Sequence, residues 1–151
     1  MKDTDLIVRK EIVIERGIDE TFRVFTEELG EWWPLDAGHS VLEGDAVTAA
    51  LEARTGGRIY ESTADGREAE WGSVVAVDPP HGITIRWHPG YGRELGTTLV
   101  VRFEAIGNAV TRLELVHSGW EVHGSDAERI HSGYTTGWDF VLGEFGRQLA
   151  G

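Results

Sequence analysis

The chain has no cysteine among its 151 residues. Disulfides and thiolate metal sites are thereby excluded, and the cytoplasm is the default location. The opening stretch, MKDTDLIVRKEIVIER, is too charged to read as a secretory signal. No apolar run approaches the roughly 20 residues that a membrane-spanning helix needs. Basic residues are scarce: 14 Lys and Arg stand against 26 Asp and Glu, a net charge of −12, with the acidic residues spread along the chain. Such a surface repels phosphate backbones and anionic lipid, so neither nucleic acid nor a membrane is an expected partner. Phosphate loops are missing too, because Gly90-Tyr91-Gly92 is not followed by a helical pattern. His117, His123 and His131 fit no standard ligand spacing, and Ser118-Gly119-Trp120 is not a nucleophile elbow. No metal and no other cofactor is expected. No repeat, low-complexity tract or linker is visible, and the length suits one domain over 1–151.

What the chain does have is a long amphipathic stretch at its end. Ile130, Tyr134, Trp138, Val141, Leu142, Phe145 and Leu149 recur at spacings of three and four, one apolar stripe on a helix. Ser125 followed by Glu128 reads as a capping box and places a helix over Asp126–Leu149, about 36 Å long at about 1.5 Å per residue. A helix that long and aromatic needs a broad apolar partner. Gly133, Gly137, Gly143 and Gly146 interrupt it, each costing about 1 kcal/mol against Ala. Gly137 on the stripe and Gly133 at its edge have two readings. Either a strand backbone passes close by, or the missing side chains leave room for a ligand.

The preceding sequence supplies the partner. Leu6–Arg16 reads as a strand with Val8, Ile12 and Ile14 on one face. Gly17-Ile18-Asp19 breaks it, and Asp19 is the candidate N-cap of a helix to about Glu28, with Phe22, Phe25 and Leu29 as its buried edge. Gly30 ends it, and Glu31-Trp32-Trp33-Pro34 begins a short second helical segment. Six strands follow, over Val47–Ala53, Arg58–Ser62, Glu68–Val77, Ile83–Trp87, Leu99–Glu104 and Val110–His117. Asp65-Gly66, Asp78-Pro79-Pro80 and Gly107-Asn108 are among the turns between them. Tight turns imply antiparallel neighbours, and strands gathered apart from helices imply an α+β fold. The expected architecture is a curved antiparallel sheet wrapped around the long C-terminal helix, with two short helices after the first strand.

Several motifs carry a resemblance along nearly the whole chain. They are Gly56-Gly57-Arg58-Ile59-Tyr60-Glu61, Glu70-Trp71-Gly72-Ser73-Val74, and Val77-Asp78-Pro79-Pro80 leading to Ile85-Arg86-Trp87. Leu115-Val116-His117-Ser118-Gly119-Trp120 and Gly137-Trp138 through Leu142 continue them. In this order they resemble the START/Bet v 1-like (SRPBCC) superfamily, and within it the family named after the activator homologue of the Hsp90 ATPase. The resemblance implies one START/Bet v 1-like domain with a helix-grip fold and an internal hydrophobic cavity. The superfamily holds lipid carriers, hormone binders and aromatase/cyclases, so it implies a cavity rather than a reaction. It also implies a chaperone as a candidate partner.

Six tryptophans, Trp32, Trp33, Trp71, Trp87, Trp120 and Trp138, read either as core fillers or as the lining of an aromatic pocket. Trp87, on the apolar face of its strand, and Trp138, on the helix stripe, are the first candidates to line it. Trp32 and Trp33 fall where the mouth should be and read as a lid. A ligand between sheet and helix is expected to meet Trp71, Phe103, Leu115, His117, Tyr134 and Gly137 as well. His117 ends the Leu113/Leu115/His117 face and points inward, either as a hydrogen-bonded core residue or as a general acid or base. Alternation puts Glu61 on the Ile59 face, a buried carboxylate that needs a partner. Arg86, on the face opposite Trp87, should lie outside. Phe140 lies off the stripe, where it packs on the first strand or marks a homodimer contact.

The leading expectation is binding of a small hydrophobic or aromatic molecule. One alternative is an enzyme of the cyclase, dehydratase or hydrolase kind, using His117 or Glu61. The other is a chaperone-linked or stress-response interaction module.

Overall fold

Alternating burial builds the sheet strand by strand. In β7 (Val110–Ser118), Thr111, Leu113, Leu115 and His117 are buried and the residues between them are not. In β5 (Gly82–Trp87), Ile83, Ile85 and Trp87 do the same. The computed structural model describes residues 6–150. In it these strands join β1 (Val8–Ile14), β2 (Ala46–Leu51), β3 (Arg58–Thr63), β4 (Glu68–Asp78) and β6 (Thr97–Gly107) in one antiparallel sheet. The order is β1-β7-β6-β5-β4-β3-β2, so consecutive strands are neighbours and β1 closes the far edge beside β7.

Bulges in β4 help to curl the sheet and re-aim its side chains. Ile59 faces Gly72 and Tyr60 faces Glu70, which leaves Trp71 as an extra residue. Val74 faces Ile85 and Ala76 faces Thr84, which leaves Val75. Trp71 is consequently buried and Val75 exposed. Gly72 permits the close approach of β5, since a Cβ there would lie 2.0 Å from the Arg86 carbonyl oxygen. The Arg86 side chain lies outside.

Helices α1 (Ile18–Glu27) and α2 (Leu29–Trp32) follow β1, and α3 (Ala127–Ala150) ends the chain. The 24-residue α3 buries Trp138, Val141, Leu142, Phe145 and Leu149 from its apolar stripe. The curled sheet grips this helix, which makes the fold α+β of the helix-grip kind. Two helix starts differ from the sequence reading. The N-cap of α1 is Gly17 rather than Asp19, which stands in the first turn where a negative charge suits the helix dipole. Ser125 follows a break at Gly124 (φ 57°, ψ −127°) within the 3-10 segment Trp120–Asp126 that leads into α3, and among the described residues its hydroxyl makes no hydrogen bond to an amide of that helix. Among the described residues no helix is long and apolar enough to cross a membrane.

The interior has two ends. At one, Phe25 stacks with Trp32, Phe103 and Phe145 at centroid distances of 5.2, 5.5 and 5.3 Å. Phe22 meets Phe103 at 5.3 Å and Trp32 meets Phe145 at 4.8 Å. Such pairs each add about 0.5–1.5 kcal/mol beyond the area they bury, and they fill this end. At the other end, Trp33, Trp71, Trp87 and Tyr134 border open space. The Phe140 ring, 45% exposed, stacks on His39.

Candidate functional site

The open end is a cavity of about 540 Å³, within the range that holds a drug-sized molecule. The sheet supplies Trp71 and Trp87, α3 supplies Arg129, Ile130, Gly133, Tyr134 and Gly137, and the chain after α2 supplies Trp33 and residues 38–41. Pro89 and Gly90 complete the lining. The Trp33 ring lies 4.9 Å from Trp71 and 6.0 Å from Trp87, and Trp71 lies 5.9 Å from Trp87, which makes one aromatic wall. Facing it, the helix is bare. A Cβ on Gly133 would meet nothing within 4 Å, and one on Gly137 would meet only His39 Cε1, at 3.7 Å. No strand backbone passes there, so these glycines leave room.

One wall of the cavity is a strap, residues 38–42, tied to β3 through Glu61. Gly38, at φ 91°, turns the chain into it, a conformation that favours glycine. Alternation buries Glu61 completely. Its Oε1 accepts from the Val41 amide and from Trp71 Nε1, each at 2.6 Å. Its Oε2 accepts from the Ser40 hydroxyl at 2.5 Å and the Leu42 amide at 2.9 Å. Burial by itself would raise this carboxyl, but the four donors outweigh burial and hold it below its ordinary value. Glu61 is an ionised anchor whose oxygens are in use. Trp33 Nε1 adds a bond to the His39 carbonyl at 2.8 Å, and the His39 ring stacks on Phe140 at 5.4 Å.

His117 sits behind the lining. Trp138 Nε1 donates to its Nδ1 at 3.0 Å. An indole N–H can only donate, so Nδ1 is bare and the ring proton is on Nε2. That proton goes to Thr97 Oγ1, 2.6 Å away, and the Thr97 hydroxyl donates to the Trp87 carbonyl at 3.0 Å. Desolvation, with smaller contributions from His131 and His123, pushes the His117 imidazole down to about 3. The ring is neutral, with both nitrogens occupied, and it braces α3 against β6 and β7. Tyr134, one turn before Trp138, accepts from Trp87 Nε1 at 3.0 Å, and burial pushes its phenol up to about 12.

Glu70 steadies the loop that carries Pro89 and Gly90. Arg93 grips it with Nε at 2.8 Å and Nη2 at 2.6 Å, and this pairing holds the carboxyl below its ordinary value despite partial burial. His88 Nε2 lies 3.2 Å from the same carboxylate, and its Nδ1 lies 3.1 Å from the Tyr91 carbonyl.

Of the residues expected around a ligand, Trp33, Trp71, Trp87, Tyr134 and Gly137 line the cavity. Trp32 is no lid: its ring lies between Phe25 and Phe145, and its N–H donates to the Val24 carbonyl at 3.1 Å. Phe103 packs on Phe22 and Phe25 at the filled end, and Leu115 is fully buried outside the lining. His117 and Trp138 hold one another behind it. The sequence reading overlooked His39, Ser40, Val41 and Arg129. The signal for the strap was Glu61 itself, since a buried carboxylate must find donors. The three histidines weighed as metal ligands are engaged separately: His123 stacks on Tyr91 and His131 lies 3.0 Å from the Ile7 carbonyl. Among the described residues no three His, Cys, Asp or Glu side chains gather as a metal site.

A family model described as Activator of Hsp90 ATPase homolog 1-like protein matches residues 17–147. Among solved structures, an anthrahydroquino-gamma-pyrone synthase complexed with SUM is 33% identical, over 87% of this chain and 88% of its own, with a TM-score of 0.58. The Aha1 dimer from Colwellia psychrerythraea is 18% identical over 95% of each chain, with a TM-score of 0.66. A Nitrosomonas europaea protein is 14% identical over 99% of this chain and 97% of its own, with a TM-score of 0.68. No curated protein sequence matches the chain.

Proposed function

The chain belongs to the family of Activator of Hsp90 ATPase homolog 1-like proteins, and from that premise we propose that it binds a planar aromatic molecule between α3 and the wall of Trp33, Trp71 and Trp87. The fold of this family commonly binds hydrophobic ligands. The observation that carries the finer reading is the pairing of a three-indole wall with a helix face stripped by Gly133 and Gly137, around about 540 Å³ of space. Indole faces favour offset stacking with flat rings, and a bare helix face admits a flat body. The name of the 33%-identical relative, an anthrahydroquino-gamma-pyrone synthase, supports a fused ring system as the ligand class. The chaperone-partner alternative expects a closed core, and the cavity favours the ligand.

Titration with two- to four-ring aromatics, read by tryptophan fluorescence, tests this. Saturable quenching is expected in the parent protein and not in Gly133→Leu, whose side chain would occupy the open space. Unchanged binding in Gly133→Leu would remove the ligand from this cavity.

A second reading, acid–base chemistry on the bound molecule, has one observation in its favour. His39 and Tyr134 line the same cavity. Desolvation lowers the His39 imidazole below its ordinary value, so it is a neutral base at neutral pH, while Tyr134 keeps its proton. A cyclisation would use this pair instead of His117 or Glu61, and its rate should vanish in His39→Ala while binding persists. Full turnover in His39→Ala would rule the pair out.

A further inference from the structure

We propose that the cavity selects aromatic molecules bearing a carbonyl oxygen, and that the Tyr134 hydroxyl is the group that recognises this oxygen; this rests on the ligand reading above. Hydrogen-bond arithmetic singles out Tyr134. A phenol has one proton to give and an oxygen that accepts. Trp87 Nε1, which can only donate, lies 3.0 Å from the Tyr134 oxygen. The Tyr134 proton therefore points elsewhere. Among the described residues no acceptor receives it, and the hydroxyl makes only the bond from Trp87. Both side chains line the cavity, so the direction left to the proton is the ligand's space.

Three of the neighbouring donors are already spent, while the His39 ring, stacked on Phe140, and the exposed Arg129 keep N–H groups of their own in less buried positions than Tyr134. The Ser40 hydroxyl and Trp71 N–H go to Glu61, and the Trp33 N–H goes to the His39 carbonyl. Arg129 has a side chain 70% exposed and pairs with Asp126 at 3.4 Å. Accepting from Trp87 polarises the phenol and strengthens what it donates. Burial keeps the proton in place across the working pH range. A hydrocarbon in the cavity would leave this donor unpaired, whereas a ketone or quinone oxygen would satisfy it. A site built this way discriminates through the group left unmatched by the wrong ligand.

Fluorenone and fluorene share one three-ring shape and differ by a carbonyl against a methylene, so the pair isolates the effect. The parent protein is expected to bind fluorenone about tenfold tighter, equivalent to about 1.4 kcal/mol. In Tyr134→Phe the ratio should fall to about one. The carbonyl stretch of bound, isotope-labelled fluorenone is read in the parent protein as well, which makes the test independent of how the variant folds. A stretch moved below its frequency in aprotic solvent supports the proposal, and an unmoved one overturns it. Equal affinities in the parent, or a preference that survives Tyr134→Phe, would overturn carbonyl selection and leave the aromatic cavity standing. Binding of neither compound would overturn both.

Discussion

Replacing Glu61 by Gln tests whether the strap is a held wall of the cavity or a passing loop. The carboxylate serves four donors, from Ser40, Val41, Leu42 and Trp71. A glutamine keeps one acceptor oxygen and turns the other into an NH2 group. With the NH2 toward Val41 and Trp71, two donors face another donor; turned the other way it opposes the Leu42 amide, while the Ser40 hydroxyl can rotate to accept. Hydrogen bonds to a charged group contribute about 1.5–3 kcal/mol each, so a strap held in place would lose about 1.5–6 kcal/mol. Detachment limits the damage, because the freed groups of residues 40–42 can turn to water. The expected loss is therefore about 2–3 kcal/mol, or roughly 4–12 °C in Tm for a chain of this size.

The assay combines thermal unfolding with amide hydrogen exchange. Val41 and Leu42 should lose protection together, and ligand affinity should fall with them because residues 38–41 line the cavity. The pH dependence has a definite sign. The folded carboxyl titrates below its ordinary value of 4.5, so the unfolded chain takes up the proton first as pH falls. Its stabilisation is full above about pH 4.5 and is lost as pH drops through the folded value. Glu61→Gln should lack this part of the acid sensitivity. A variant as stable as the parent, with Val41 and Leu42 still protected, would refute the anchor.

Three further outcomes follow from the same geometry. Between its ordinary 6.5 and about 3, the buried His117 stays neutral while the unfolded chain binds a proton. The parent should lose up to about 1.4 kcal/mol per pH unit through that window. His117→Gln, though less stable at neutral pH, should show a shallower slope in urea unfolding, and an equally steep one would contradict a neutral brace. Gly72→Ala should cost about 3 kcal/mol, the upper end for one substitution, because the added carbon meets the Arg86 carbonyl at 2.0 Å. An unchanged Tm would mean the bulge lies elsewhere. Gly133→Leu should unfold at the parent's temperature or above, since glycine within a helix costs about 0.8–1 kcal/mol, and a large drop in Tm would show that its neighbourhood is already filled.

The element order was legible because it depends on periodicity: Leu113, Leu115 and His117 alternate, and the α3 stripe repeats every three or four residues. Helix starts were less so, since Asp19 and Ser125 are good cap residues by type, whereas Gly17 and the 3-10 segment before Ala127 hold those positions. The division of the aromatics could not be read. Trp32 and Trp33 are adjacent, yet one rotates into the Phe25–Phe145 cluster and the other borders the cavity. Phe103 shares a sheet face with Leu99 and Val101, but α1 reaches it first with Phe22 and Phe25. His117 did point inward, as alternation required. Its fate was set by Thr97 and Trp138, 20 and 21 residues away, and local sequence carries no trace of that meeting. The strap is irregular chain and has no period to betray it.

The six tryptophan indole N–H groups are built-in reporters of where a ligand lies. The decisive measurement is a titration of isotope-labelled protein with fluorene or fluorenone, following those resonances by two-dimensional NMR. Binding in the cavity predicts that Trp33, Trp71 and Trp87 move to saturation, while Trp32, whose N–H is tied to Val24 at the filled end, stays in place. Saturation with Trp32 shifted and the three wall indoles still would contradict it.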